Sequence, residues 1–161
     1  KSTIYLGAAA MEIGSVVFTV DHHRGSEEMQ QGWEHHDPEV VDPKTGRIDS
    51  LPELRRNLEQ AGLENIVVPV VGESGTVAKH WAGHLSMLFI DGGHGSDPAH
   101  TDYEEWTPKI AAGGFLAIHD VFPDPADGGR PPYEIYSRAI EEGGFEKFSS
   151  AGSLQILRRP L

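Results

Sequence analysis

Short apolar runs alternate along the chain with segments whose apolar residues recur at helical spacing. Residues 3–12 are Ala-rich and predict a helix stopped by Gly14. Val16-Val17-Phe18-Thr19-Val20 is a continuous β-branched run, the pattern of a strand covered on both faces. It gives way to Asp21-His22-His23-Arg24-Gly25, and the polar, irregular stretch 22–49 predicts a lid or insertion. Ser50-x-x-Glu53 has the form of a capping box. Leu51, Leu54, Leu58 and Ala61 then share a helix face, and Gly62 is the stop. Ile66–Val71 predicts a strand whose Pro69 belongs at or near a sheet edge. A short helix is expected over 77–81, then a buried strand over Leu85–Ile90 leading into Asp91-Gly92-Gly93-His94-Gly95.

Asp97-Pro98 predicts the start of a helix with Tyr103, Trp106 and Ile110 on one face, ended by Gly113-Gly114. Phe115–Ile118 is the next strand and delivers His119-Asp120. The Gly/Pro/Asp stretch 122–132 is long and stiff enough to serve as a pocket wall before a helix over Tyr133–Glu142. Phe145–Ser149 and Leu154–Leu157 read as an antiparallel hairpin. Strands spaced by helices imply βαβ units: an α/β, Rossmann-like, doubly wound and mostly parallel sheet with an antiparallel terminal hairpin. At 161 residues the chain is expected to be a single domain.

Composition narrows the chemistry. Thirteen basic residues against 25 acidic ones give a net charge of −12, which disfavours phosphate backbones and anionic membranes alike. The absence of cysteine excludes disulfides, thiolate metal sites and a cysteine nucleophile. No apolar stretch approaches the ~20 residues of a membrane helix. The opening Lys1-Ser2-Thr3-Ile4 is neither a signal peptide nor an initiator methionine. A cytoplasmic protein is the expectation, with no nucleic-acid or membrane partner.

In a parallel sheet ligands bind beyond the carboxyl ends of the strands, where Asp21, Glu73, Asp91 and His119-Asp120 fall. An acid one residue past a buried strand either accepts hydrogen bonds from both hydroxyls of a nucleotide ribose or caps a turn. Asp91 and Asp120 end successive strands and suit a hard divalent cation, or else hydrogen-bond loop amides. His94 and His119 are candidate general bases or structural imidazoles. Nine histidines invite a zinc reading, but the adjacent pairs His22-His23 and His35-His36 match no zinc spacing. Trp33, Trp81 and Trp106 are expected to pack rather than form an aromatic cage, and Asp102, Glu104 and Glu105 to form a solvated helix face.

Phe89-Ile90-Asp91-Gly92-Gly93-His94, the helix with Asp102-Tyr103-Glu104-x-Trp106, and Gly113-Gly114-Phe115-Leu116-Ala117-Ile118-His119-Asp120-Val121 together carry a resemblance. They resemble class I S-adenosylmethionine-dependent methyltransferases, specifically the small bacterial relatives of macrocin-type O-methyltransferases and cephalosporin-hydroxylase-like proteins. The resemblance implies that Asp21 holds the cofactor ribose, with His22 beside it, and that Glu73 and Ser74 lie near the adenine. It places Asp91 at the reacting centre, where it also touches the cofactor, with His94 and His119 as catalytic candidates. In metal-dependent relatives, acids after the fourth and fifth strands bind magnesium, which maps to Asp91 and Asp120. His119 departs from the pattern, since some relatives have a further carboxylate there.

That family also has a first strand and a Gly-rich turn, of the form E-x-G-x-x-x-G, which would precede Lys1 and is missing from these residues. The expectation is therefore an N-terminally incomplete methyltransferase-like domain. Its implied activity is methyl transfer to a hydroxyl of a small-molecule acceptor, with at most a second copy of the chain as protein partner. A nicotinamide-dependent (NAD(P)) oxidoreductase and a non-catalytic cofactor- or partner-binding module are the alternatives.

Overall fold

A computed structural model describes all residues except 27, 28, 34, 35, 93, 94, 125 and 126. It divides into two compact units, Lys1–Val77 and Ala78–Leu161.

The first unit opens with α1 (Ser2–Glu12) and β1 (Val17–Asp21). A 3₁₀ turn over Pro38–Val40 and a short hairpin, β2 (Val41–Asp42) with β3 (Arg47–Ile48), give the stretch 22–49 its own structure. Next come α2 (Leu51–Ala61) and β4 (Val67–Val71), and α3 (Ser74–His80) follows across the division after Val77. β1 pairs with β4 in parallel, Val17 opposite Val67 and Asp21 opposite Val71, so both strands deliver their polar successors at one end. Leu58, Leu63 and Val67 form the core, with Ile4, Val17, Leu54 and Ile66 against it. Gly62 adopts the left-handed conformation that stops α2, as its position predicts.

The second unit contains β5 (Leu85–Ile90), α4 (Ser96–Trp106), β6 (Ile110–Ile118), α5 (Arg130–Glu141), β7 (Glu146–Ala151) and β8 (Leu154–Arg158). Its sheet runs β5-β6-β8-β7, with β6 parallel to β5 and β8 antiparallel to both β6 and β7. Leu116, Ile118, Ile135, Ala139 and Leu157 anchor the core. Burying a side chain of this size contributes ~1.5–3 kcal/mol.

Several expectations need correction. The helix expected to run through Ile110 ends at Trp106, because Pro108 lacks the amide a helix would use. Thr107–Lys109 becomes a 3₁₀ turn, and Ile110 opens a strand. Gly113 and Gly114 therefore lie inside β6, where the register against β5 shifts and Gly113 takes φ +75°. Residue Gly95, not Asp97, is the N-cap of α4. α5 begins at Arg130, with Pro131 and Pro132 tolerated in its first turn.

β1 and β5 are less covered than their apolar runs suggest. Phe18 is 48% exposed and Met87 41%. β1 pairs with β4 and β5 with β6, and neither has a second partner strand among the described residues.

The expected capping box at Ser50 is also absent. Its side chain makes no cap bond, and its hydroxyl lies instead 2.9 Å from His23 Nδ1. Glu53 pairs with Arg56 and Asn57.

Candidate functional site

In the first unit, the end of β1 places Asp21 with its carboxylate half exposed. The backbone turns sharply two residues later, with His23 at φ +59°, and the His23 N–H donates to Asp21 Oδ1 at 2.8 Å. His22 Nδ1 accepts from the Arg24 amide at 2.9 Å, which leaves Nε2 as its protonated nitrogen, 4.0 Å from Glu73 Oε1. The adjacent pair thus divides: His22 faces Glu73 after β4, while His23 is buried. Ser74 opens α3 beside Glu73. Asp21, His22 and Glu73 are brought together, acids and imidazole at one strand-end edge.

In the second unit, β5 and β6 run in register up to Ile90 opposite Ile118, so Asp91 and His119 emerge side by side. His119 Nδ1 lies 3.2 Å from Asp91 Oδ1 and 3.0 Å from Asp120 Oδ1. Neither approach has hydrogen-bond geometry, and Nδ1 is buried with no hydrogen-bond partner among the described residues. Asp120 is held at φ +56°, a conformation unusual for a residue with a Cβ. The Val121 amide, bonded to Ser153 O, and the Ser153 hydroxyl, 3.4 Å from Asp120 Oδ1, fix it there.

Oxygen and nitrogen atoms of Asp91, His119 and Asp120 lie within 4.8 Å of one another. Two carboxylates and an imidazole whose inward nitrogen has no hydrogen-bond partner form a donor set that fits a divalent cation. The cleft they line has room for about one water molecule, ≈ 10 Å³. His94 falls outside the described residues.

Sequence reasoning missed Asp102. Instead of a solvated face, its carboxylate lines this cleft, and a Cβ on Gly92 would stand 3.4 Å from Asp102 Oδ2. Counting helix turns back from buried Trp106 and Tyr103 could have found it, since Asp102 sits beside them on α4. Glu104 does face solvent, paired with Arg138 of α5. Pro132, from the end of the 122–132 stretch, also lines the cleft. Trp81 packs edge-on against Trp106, and Trp33 is half exposed.

A family model described as a methyltransferase domain matches residues 1–121, well over half of the chain. The chain belongs to this methyltransferase-domain family. Solved structures agree on the fold of this methyltransferase. The O-methyltransferase NovP superposes with a TM-score of 0.70 at 15% identity, covering 99% of this chain and 67% of its own. CalS11, a TDP-rhamnose 3′-O-methyltransferase of calicheamicin biosynthesis, gives 0.60 at 14% identity, covering 95% of this chain and 66% of its own. MycE, a methyltransferase of the mycinamycin pathway solved with magnesium, S-adenosylhomocysteine and mycinamycin VI, gives 0.50 at 12%, covering 97% and 49%. The chain thus spans 49–67% of the length of these three. At such identities the likeness establishes the fold alone. No helix among the described residues is long and apolar enough to cross a membrane.

Proposed function

We propose that the protein transfers a methyl group from S-adenosylmethionine to a hydroxyl of a small molecule. The observation that carries this reading is the convergence of Asp91, His119 and Asp120 at the ends of two parallel strands in a methyltransferase fold. Methyl transfer is an in-line displacement: the acceptor oxygen attacks the methyl carbon, the carbon–sulfur bond breaks toward sulfur, and the hydroxyl proton goes to a base. Such chemistry needs the oxygen held at about 3 Å from the carbon and a group to take its proton.

Asp21, with His22 and the Glu73-Ser74 turn, binds the nucleoside, the exposed carboxylate accepting from the ribose hydroxyls. His119 takes the acceptor's proton, and Asp91 borders both the cofactor and the reacting oxygen. His94, three residues after Asp91 in the sequence, is a second base candidate. Asp91 and Asp120 are the residues that would hold magnesium, which when bound would lower the pKa of a coordinated hydroxyl. In support, MycE was solved with magnesium, S-adenosylhomocysteine and mycinamycin VI, and CalS11 is a TDP-rhamnose 3′-O-methyltransferase.

The acidic surface and the polar stretch 22–49, whose open cleft presents Gln30, Gln31 and His36, favour a neutral or cationic polyhydroxylated acceptor over a nucleic acid. The whole of 1–161 is read as one methyltransferase-like domain, working in the cytoplasm. Calorimetric titration of the full-length protein with S-adenosylhomocysteine and, separately, NAD, with and without magnesium, tests this. Micromolar binding of the homocysteine product alone supports the reading. Binding of NAD alone overturns it, and binding of neither points to a fold kept for a non-catalytic role.

A further inference from the structure

His23 is a buried titratable residue that the methyl-transfer scheme does not use, and its surroundings are unusual. It is 4% exposed, it holds φ +59°, and its Nε2 is buried with no hydrogen-bond partner among the described residues. Each of these is unfavourable. A left-handed backbone is costly for a residue with a Cβ, and an unpartnered buried imidazole nitrogen loses its hydration. Glycine would take the same φ freely, and an apolar side chain would fill the same volume without an orphaned nitrogen.

What histidine supplies is a side-chain tie that adds to a backbone one. Its Nδ1 lies 2.9 Å from Ser50 Oγ, and its carbonyl accepts from the Ser50 amide at 3.2 Å. These join residues 27 positions apart and close the base of the stretch 24–49. Two further contacts reinforce the closure: Arg24 Nη1 donates to Ile48 O at 3.1 Å and stands 3.8 Å from Asp49 Oδ2. The hydroxyl that would otherwise cap α2 is committed to this tie.

The backbone of the residue so anchored also turns its N–H back to Asp21 Oδ1, 2.8 Å away. One carboxylate oxygen is thereby tethered while the side chain stays half exposed. A carboxylate already held in one rotamer loses less freedom when it accepts a ligand's hydroxyls.

We propose that His23 is a positioning residue for cofactor binding. Its imidazole, locked on Ser50, holds the left-handed turn whose amide orients the Asp21 carboxylate toward a ribose. The inference rests on the reading that Asp21 is the ribose-binding acid. It also makes the base of the 24–49 stretch and the cofactor site one mechanical unit within the first compact unit.

The test is calorimetric binding of S-adenosylhomocysteine to the full-length protein, with melting temperatures in parallel. The variants are Ser50→Ala, His23→Gly, His23→Asn, Asp21→Ala and the double variant Asp21→Ala/His23→Gly. Glycine keeps the φ value and removes the tie, whereas asparagine tolerates that φ and presents an amide where Nδ1 stands.

His23→Gly and Ser50→Ala should weaken binding roughly five- to tenfold, and His23→Asn should restore it to within about twofold of wild type. In the Asp21→Ala background, His23→Gly should cause no further loss, because the group it orients is gone. Additive losses in that cycle, or unchanged affinity in both His23→Gly and Ser50→Ala, overturn the inference while leaving Asp21 in place. Should His23→Gly not fold, Ser50→Ala, which removes one oxygen, carries the same cycle. If wild type binds but Asp21→Ala binds equally well, the ribose assignment fails, and His23's role with it.

Discussion

Asp91 Oδ1 stands 3.2 Å from His119 Nδ1, across the parallel register that sets Ile90 opposite Ile118. The pairing is local in space and 28 residues apart in sequence, so it exists only because β5 and β6 align. It makes Asp91 the residue whose loss should separate chemistry from binding. Asp91→Asn keeps the shape but removes the charge beside the imidazole. Turnover should fall about a hundredfold or more, the scale of a lost acid–base contribution. Affinity for S-adenosylhomocysteine should change by a few-fold at most. Single-turnover kinetics with calorimetry checks this, and equal losses in both would remove Asp91 from the reacting centre.

Asp120 supplies the second carboxylate, with Oδ1 3.0 Å from the same nitrogen. Magnesium binding the native cluster should raise the melting temperature with the logarithm of its concentration above Kd, by about 1.4 kcal/mol of stability at ten times its Kd. Asp120→Asn should abolish most of that increment while leaving the metal-free protein folded. A thermal scan with and without magnesium decides it: an identical increment in the variant would place the ion elsewhere.

How far the chain is legible varies with the distance over which each feature is determined. Strands such as Leu85–Ile90 and the terminal hairpin are readable because apolar runs and turn glycines act locally. So is the juxtaposition of Asp91 and Asp120, since parallel strands end together. The capping role expected of Ser50 fails because a residue 27 positions away, His23, takes its hydroxyl. The helix expected to reach Ile110 stops early at a proline whose weight the apolar spacing masks. Asp102 hides among acids that do face solvent. Its turn toward Gly92 depends on where α4 rests on the sheet, which no local pattern encodes.

Gly143 follows α5 where the chain crosses Tyr103. A Cβ there would stand 2.6 Å from the Tyr103 hydroxyl and 2.9 Å from the Ala139 carbonyl. The carbonyl belongs to helix backbone and cannot move aside. Gly143→Ala should therefore destabilise by about 1–3 kcal/mol, the usual range for overpacking, without touching the cleft. Chemical denaturation measures it, and a loss within error of zero would mean that α5 shifts freely at its end.

Acid should loosen the contact between α4 and α5. Glu104 is held below the usual carboxylate range by its hydrogen bond to Arg138 and then by that guanidinium's charge. Glu134 is lowered first by its hydrogen bond to His100, then by that to Arg130. A carboxylate whose folded pKa lies below its unfolded one binds fewer protons when folded. Its stabilisation is thus complete above the usual carboxylate range and is lost as pH falls through the lowered value. Both groups are solvent-exposed, so each contribution is small and screened by salt. In a Glu104→Gln/Glu134→Gln variant, the fall of melting temperature between neutral and acidic pH should be shallower than in wild type, and more clearly so at low ionic strength. Thermal scans across that range measure it, and parallel curves would show that other carboxylates account for the acid sensitivity.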